Sequence, residues 1–195
     1  YIAGYVDFSR RPKYTNLRFP MDFGGLPNTI YRNNGDGTFE DLTSKLDVLS
    51  DASRKSMQVL FHDFNEDGFP DIFVANDTDA NGFYLNRGDG TFKVFSGPSG
   101  LSTTDGSMGI AIGDINNDGL SDIVYTNYAA EVNAIAYLID NKSSNDGKLK
   151  NAVFTQNFDS PMIHKLSWPK ISWGPGLFDL DNDGDLDLFF ANGHL

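Results

Sequence analysis

The 195-residue chain contains no cysteine. It therefore forms no disulfide and offers no thiolate to a metal, and its redox compartment is left open. No apolar run approaches the ~18–20 residues that a membrane-spanning helix needs. Positive charge is scarce: 15 Lys+Arg stand against 27 Asp+Glu, a formal charge of −12 with a pI near 4.4. That balance argues against nucleic acid or an anionic membrane as the main partner, since both are held by clustered cations. Glutamate is scarce too. Only Glu40, Glu66 and Glu131 are glutamates, against 24 aspartates. Helix surfaces favour Glu, whereas Asp bonds its own backbone and favours turns. With 20 Gly, 16 Phe and 8 Tyr, this composition predicts an all-β, turn-rich protein whose aspartates lie in loops. A hydrophobic content of 39% is too high for a disordered acidic tail, and the length suits one domain with a core. The first residue is Tyr1, and Tyr1–Val6 already reads as a strand. No leader is there to be read, so the chain is expected to be a piece of a longer polypeptide.

What the sequence does have is repetition. Asp63-Phe-Asn-Glu-Asp-Gly-Phe-Pro-Asp71 returns as Asp114-Ile-Asn-Asn-Asp-Gly-Leu-Ser-Asp122 and as Asp179-Leu-Asp-Asn-Asp-Gly-Asp-Leu-Asp187. Each copy follows a β-type run (Gln58–Phe61, Gly109–Ile112, Gly174–Phe178) and precedes another (Ile72–Asn76, Ile123–Asn127, Leu188–Asn192). Between the loops, Tyr31-Arg-Asn-Asn-Gly-Asp-Gly-Thr-Phe39 recurs as Tyr84-Leu-Asn-Arg-Gly-Asp-Gly-Thr-Phe92 and, worn, as Tyr137–Asn141. Gly-Asp-Gly-Thr-Phe reads as a hairpin connection, with Gly supplying positive φ and Thr-Phe restarting a strand. One unit is thus four antiparallel strands, the pattern of a β-propeller blade at a period of ~40–50 residues. The loops begin 51 residues apart (63 to 114) and then 65 (114 to 179), so the units carry insertions. Helical periodicity is absent except for a short turn around Thr43–Arg54.

Ala75, Thr126 and Ala191 each lie twelve residues beyond a first loop Asp, and Ala3 is their counterpart. The expected architecture is therefore a partial propeller of about three to four blades. Residues 1–57 form a partial blade with an insertion at 7–26, 58–107 and 108–170 form whole blades, and 171–195 start another. That makes two complete four-strand units, flanked by three strands at the start and two at the end. Open sheet edges invite pairing, so the arc is expected to continue, to close end to end, or to dimerise.

The spacing Asp-x-Asx-x-Asp-Gly-x-x-Asp places side-chain oxygens at positions one, three, five and nine. The Gly at position six turns the chain so that the carbonyl at position seven can point inward. Hard oxygens from one short loop suit the six to eight ligands that Ca²⁺ takes at ~2.3–2.6 Å, whereas Mg²⁺ wants stricter octahedral geometry. Without His or Cys at these positions, zinc and copper are poor fits. A single Asp-Asn-Gly cluster would be a turn and no more, but three complete copies between strands argue for ligation. Like charges a few ångströms apart repel unless a cation neutralises them. At the ligand positions the first two loops hold three carboxylates each and the third holds four, Asp179, Asp181, Asp183 and Asp187. Three Ca²⁺ ions would take the formal charge from −12 to −6. An EF-hand fails, because its position twelve is Glu between helices, whereas here Val74, Tyr125 and Phe190 fall in β runs.

Further marks are Leu26–Phe39, Ala75-Asn-Asp-Thr78, Ser107-Met-Gly109, Ser172-Trp-Gly174 and Ala191-Asn-Gly-His194. On these residues the sequence resembles the FG-GAP/VCBS repeat superfamily over nearly its whole length, most closely the ASPIC/UnbV-associated, cartilage acidic protein-like branch. The resemblance implies an extracellular or periplasmic β-propeller with Ca²⁺ in each acidic loop, used for binding or adhesion more than for catalysis. By position it implies three ligand sets: Asp63, Asn65, Asp67 and Asp71 with the Phe69 carbonyl; Asp114, Asn116, Asp118 and Asp122 with the Leu120 carbonyl; and Asp179, Asp181, Asp183 and Asp187 with the Asp185 carbonyl. Propellers of this kind commonly have about seven blades, so the chain would be about half of one.

Other features have plainer readings. Arg87-Gly-Asp89 spells an integrin-binding tripeptide but sits in the repeated turn, where the other copy has Asn34. The 7–26 insertion mixes Arg10, Arg11, Lys13 and Arg18 with Phe8, Tyr14, Phe19 and Phe23. It reads as a solvated face, with a partner surface as the alternative. His62, His164 and His194 are read as packing or hydrogen-bonding residues, and Trp168 and Trp173 as core or inter-blade packing rather than sugar platforms. No Ser/His/Asp or Cys/His constellation is visible. The expectation is a non-enzymatic, Ca²⁺-stabilised segment presenting loops to a protein or glycan. Two alternatives remain open: part of a secreted polysaccharide lyase or hydrolase, and an assembly element pairing through its sheet edges.

Overall fold

The computed structural model describes residues 1–10, 12, 15–45, 54–140, 151–157 and 160–193. Arg11, Lys13, Tyr14, Asn141, His194 and most of the Thr43–Arg54 segment lie outside these. Each acidic loop joins two paired strands, as its flanking β-branched and aromatic runs require. In the first whole unit β3 (Ser56–His62), β4 (Asp71–Asn76), β5 (Gly82–Asn86) and β6 (Phe92–Val94) form one antiparallel sheet in that order. In the second, β7 (Ile110–Gly113), β8 (Asp122–Tyr125), β9 (Ala134–Leu138) and β10 (Phe154–Asn157) do the same. A two-stranded sheet precedes them, β1 (Tyr31–Asn33) with β2 (Phe39–Asp41), and another follows, β11 (Ile171–Phe178) with β12 (Asp187–Gly193). The protein is an all-β partial propeller.

The details depart from the sequence reading in two places. Tyr1–Val6 does not form a continuous strand: it joins the first unit through single bridges, Ile2 to Thr29 and Val6 to Gly25. Two short helices also occur, α1 (Ser96–Ser99) and α2 (Pro161–Ser167). The second starts on a Ser-Pro pair whose Ser160 hydroxyl accepts the Ile163 N–H at 3.4 Å, a helix-start signal too local to show as periodicity.

Packing follows from the two-residue period of a strand. On β4, Ile72 and Val74 face the preceding unit, where they meet Ile30, with Tyr84 of their own sheet beside them. Phe73 and Ala75 face the next unit and join a large core with Phe64, Phe83, Ile123, Tyr125 and Phe154. On β8 the faces repeat, with Ile123 and Tyr125 turned back and Val124 turned forward against Ile163 and β12. Strands buried on both faces need apolar residues at every position, which is why these runs do not alternate. At the far end Leu188 and Phe190 pack back, while Phe189 and Leu180 are exposed.

The first strands of successive units stand beside one another. Gln58 on β3 brackets Ile110 on β7, accepting its N–H at 2.8 Å and donating to its carbonyl at 3.5 Å. Gly109 marks the next approach. A Cβ there would lie 2.6 Å from Gly174 Cα and from the Trp173 carbonyl oxygen, which explains the glycine of Ser107-Met-Gly109; a Cβ on Gly174 itself would meet nothing within 4 Å.

A polar clamp recurs at each junction. Asn81 accepts the Asn76 N–H at 2.8 Å and donates to Ser107 Oγ at 3.1 Å, and Ser107 donates to Asn127 Oδ1 at 2.9 Å. Asn133, Ser172 and Asn192 repeat this set, with Asn133 accepting the Asn127 N–H. Asn28, Ser56 and Asn76 repeat it earlier, with Asn28 accepting the Gly4 N–H. Each clamp ties two units through otherwise unsatisfied buried amides.

Candidate metal centres

The three acidic loops close in the same way. Asp63 accepts the N–H of Asp67 at 3.0 Å and of Gly68 at 2.7 Å. Asp114 accepts those of Asp118 and Gly119 at 3.0 and 2.8 Å, and Asp179 those of Asp183 and Gly184 at 3.1 and 3.0 Å. Asn65, Asn116 and Asp181 accept the same position-five N–H at 3.3, 3.2 and 3.2 Å. Asp67, Asp118 and Asp183 each accept the N–H of position seven (Phe69, Leu120, Asp185) at 2.9 Å. Closing the loop in nine residues needs left-handed backbone at positions four and six. Glu66, Asn117 and Asn182 have φ of 58°, 58° and 61°, and Gly68, Gly119 and Gly184 have 95°, 85° and 97°. Glycine meets this demand without a Cβ clash.

Position nine opens the second strand and locks the loop to the sheet. Asp71, Asp122 and Asp187 accept the position-two N–H of Phe64, Ile115 and Leu180 at 3.2, 3.0 and 2.9 Å. In the whole units the other oxygen of this carboxylate accepts an N–H from the third strand, Asn86 to Asp71 and Leu138 to Asp122, both at 2.9 Å. Phe64 and Leu120 plug into the large core from inside the loops. Loop two also touches loop three, with Asn117 donating to Asp185 Oδ1 at 2.6 Å.

Electrostatics follow from this placement. Burial pushes the Asp71 carboxyl up to about 7, with the Asp67 and Asp63 charges adding to the effect and the Asn86 and Phe64 amides opposing it. Burial likewise raises Asp122, with Asp118 and Asp114 adding. In the third loop, oxygens of Asp179, Asp181 and Asp187 all lie within 4.8 Å of one another, the only such acidic group among the described residues. In the first two loops an asparagine holds position three and donates to the neighbouring carboxylate, Asn65 to Asp67 and Asn116 to Asp118, at 2.9 Å. The carbonyl oxygens of Phe69, Leu120 and Asp185 accept no hydrogen bond from the described residues. Oxygen-only donors with free carbonyls at position seven fit a hard divalent ion of calcium's size.

The remaining candidates resolve into structure. In the Arg87-Gly-Asp89 turn, Asp89 accepts the Thr91 N–H and hydroxyl at 2.9 and 2.6 Å, as Asp36 does from Thr38 in the earlier copy. Those bonds hold its carboxyl below the usual range, and they show a turn maintained in both units. In the insertion, Arg10 pairs with Asp7 and Arg18 with Asp22, so these charges are answered locally. His62 packs edge-on to Phe64, and burial lowers its pKa. His164 stacks on Trp168. Neither tryptophan is a core residue: Trp168 is 45% exposed and Trp173 43%. The sequence reading missed the clamp asparagines Asn28, Asn81 and Asn133. They recur once per unit at the start of a strand run, as Asn28-Thr-Ile-Tyr31, Asn81-Gly-Phe-Tyr84 and Asn133-Ala-Ile135, and this Asn-x-(Ile/Phe) pattern is the signal that could have found them.

Repeated four-stranded units with an acidic loop between the first two strands define an FG-GAP-like repeat protein. The family profile matches residues 22–74 and 63–125, together more than half of the chain, and the chain belongs to this family. Among curated proteins it is similar to cartilage acidic protein 1. The Xenopus tropicalis protein is 32% identical over 124 residues, and the Homo sapiens protein 34% identical over 123. Each match covers 63% of this chain and 17% of the relative's length. No helix among the described residues is long and apolar enough to cross a membrane.

Proposed function

We propose that the chain is a non-enzymatic propeller segment outside the cytoplasm, stabilised by Ca²⁺ in its three acidic loops, that presents surface loops to a protein or glycan partner. The observation that carries this reading is the threefold loop geometry, in which Asp63, Asp114 and Asp179 each close their loop on two backbone amides, and oxygens of Asp179, Asp181 and Asp187 lie within 4.8 Å of one another. Asp63, Asn65, Asp67 and Asp71 with the Phe69 carbonyl would hold one ion. Asp114, Asn116, Asp118 and Asp122 with the Leu120 carbonyl would hold the second, and Asp179, Asp181, Asp183 and Asp187 with the Asp185 carbonyl the third. The metal supplies charge neutralisation and no reaction step.

An ion that binds the closed loop and not the open chain adds RT ln(1+[L]/Kd) to stability, about 2.7 kcal/mol per site at a hundredfold excess over Kd. Extracellular sites can be as weak as ~10⁻⁴–10⁻³ M, so the test uses millimolar ion. The melting temperature is expected to fall on chelation and to return with Ca²⁺ more than with Mg²⁺. Identical melting with chelator and with Ca²⁺ would refute the reading. The exposed faces at Phe189 and Leu180, and at Ile2 and Phe39, suit cover by further units or by a second copy.

A further inference from the structure

Away from the acidic loops, at the opposite ends of the first strands, two adjoining cavities of about 80 Å³ each share Phe19, Pro20, Asp77 and Tyr128 as walls. Tyr5, Met57, Met108 and Trp173 complete the first, and Met21, Thr78 and Glu131 the second. Phe19 comes from the 7–26 insertion, which folds back to bring it there. It is stacked on Phe8 and held edge-on by Tyr5 and Phe23, so an exposed ring is fixed by its own aromatic cluster. Phe19, Tyr128 and Trp173 are 54%, 41% and 43% exposed. They line a small mouth with aromatic surface.

The inner wall is acidic. Asp77 is 7% exposed, and its Oδ2 accepts the Tyr5 hydroxyl at 2.6 Å. Glu131 accepts the N–H of Gly106 at 2.7 Å and of Tyr128 at 3.2 Å. The two carboxylates converge on Gly106, where a Cβ would lie 3.2 Å from Asp77 Oδ1 and 3.3 Å from Glu131 Oε2. The nearby ammonium of Lys55 is bound to Asp79 at 2.6 Å. Thr78, a wall of the second cavity, adds a second feature. The Thr78 hydroxyl oxygen is sealed from solvent without a hydrogen-bond partner, on a β-branched residue held at φ 61°, a conformation such residues rarely adopt.

Aromatic faces attract cations and carboxylates supply counter-charge, whereas both repel anions. A volume of this size holds the head group of one side chain; sites for whole small molecules are several times larger. We propose that the two cavities form one site for the cationic side chain of a partner protein, with Phe19, Tyr128 and Trp173 against its stem and planar head and Asp77 and Glu131 as its counter-charges. This names the chemistry of the partner in the presentation reading above and rests on that reading only in requiring that a partner exists.

The test is calorimetric titration of the whole protein at saturating Ca²⁺ with arginine amide, with lysine amide, and with citrulline amide as an uncharged control of arginine's shape. Arginine amide should bind in the millimolar range, as few atoms are engaged, and on the order of tenfold more tightly than citrulline amide. Lysine amide binding as tightly assigns the site to ammonium and guanidinium alike and supports the proposal. Asp77→Asn should weaken arginine binding by roughly tenfold. Phe19→Ala, at an exposed position, should weaken it severalfold and provides the test if the Asp77 variant does not fold. Equal binding of citrulline amide, binding of a neutral oligosaccharide in place of arginine amide, or wild-type affinity in folded variants would overturn the proposal. A Ca²⁺-dependent melting shift that persists without arginine binding refutes this site alone. Arginine binding that persists without the shift refutes the metal reading alone.

Discussion

Replacing Asn81 with alanine tests whether the inter-unit clamps hold the arc together. Asn81 is fully buried and its side chain makes three hydrogen bonds: it accepts from Asn76 N at 2.8 Å and donates to Thr103 Oγ1 at 3.2 Å and Ser107 Oγ at 3.1 Å. Two of the three partners keep another bond after truncation, Ser107 with Asn127 Oδ1 and Thr103 with the Tyr125 hydroxyl. The Asn76 N–H is left without one in a buried strand end, a penalty of about 1–3 kcal/mol. Loss of the two donated bonds adds about 1 kcal/mol, so the total is on the order of 2–4 kcal/mol. Urea unfolding at saturating Ca²⁺ should show this as a lower midpoint with an unchanged slope. Asn133→Ala should cost a similar amount, because Asn133 accepts the Asn127 N–H at 2.8 Å and donates to Ser172. A loss below about 0.5 kcal/mol in both variants would show that the clamps merely fill space and that apolar packing alone sets the junctions.

Gly109→Ala should lower stability by about 1–3 kcal/mol, because its Cβ would meet the backbone of β11 at 2.6 Å; an unchanged urea midpoint would refute so close an approach of β7 and β11. Burial raises Asp105, which faces Glu131 and Tyr125 and is hydrogen-bonded by Thr103. The folded chain therefore keeps this proton to higher pH than the unfolded one. The stabilisation is fully present below the unfolded value of ~4 and is lost as pH rises through the raised folded value. Asp105→Asn should flatten that decline when urea midpoints are measured at saturating Ca²⁺ across the acidic range, and parallel profiles for the two proteins would contradict it.

The acidic loops were legible because everything that shapes them lies within nine residues. Asp63 bonds Asp67 and Gly68, Asp67 bonds Phe69, and Asp71 bonds Phe64, so loop closure is a local property that the spacing records. The strands around them were legible for a related reason: Ile72–Ala75 and Ile123–Tyr125 are apolar at successive positions, as burial on both faces requires. Helix α2 was not, because one capping serine and one proline leave no periodic trace in seven residues.

Spacing and residue chemistry by themselves determined the repeat unit, its four strands, its turns and the oxygen-rich loops. Only the tertiary structure decided how units meet. It brought Asn28, Asn81 and Asn133 into equivalent clamps, put Phe19 of the insertion beside Asp77 and Trp173, and left both tryptophans partly exposed. A hydrogen bond between Asn133 and Ser172 joins residues 39 apart. Whether such a pair forms depends on the twist and approach of whole sheets, to which every core side chain contributes, and no short stretch of sequence carries that information.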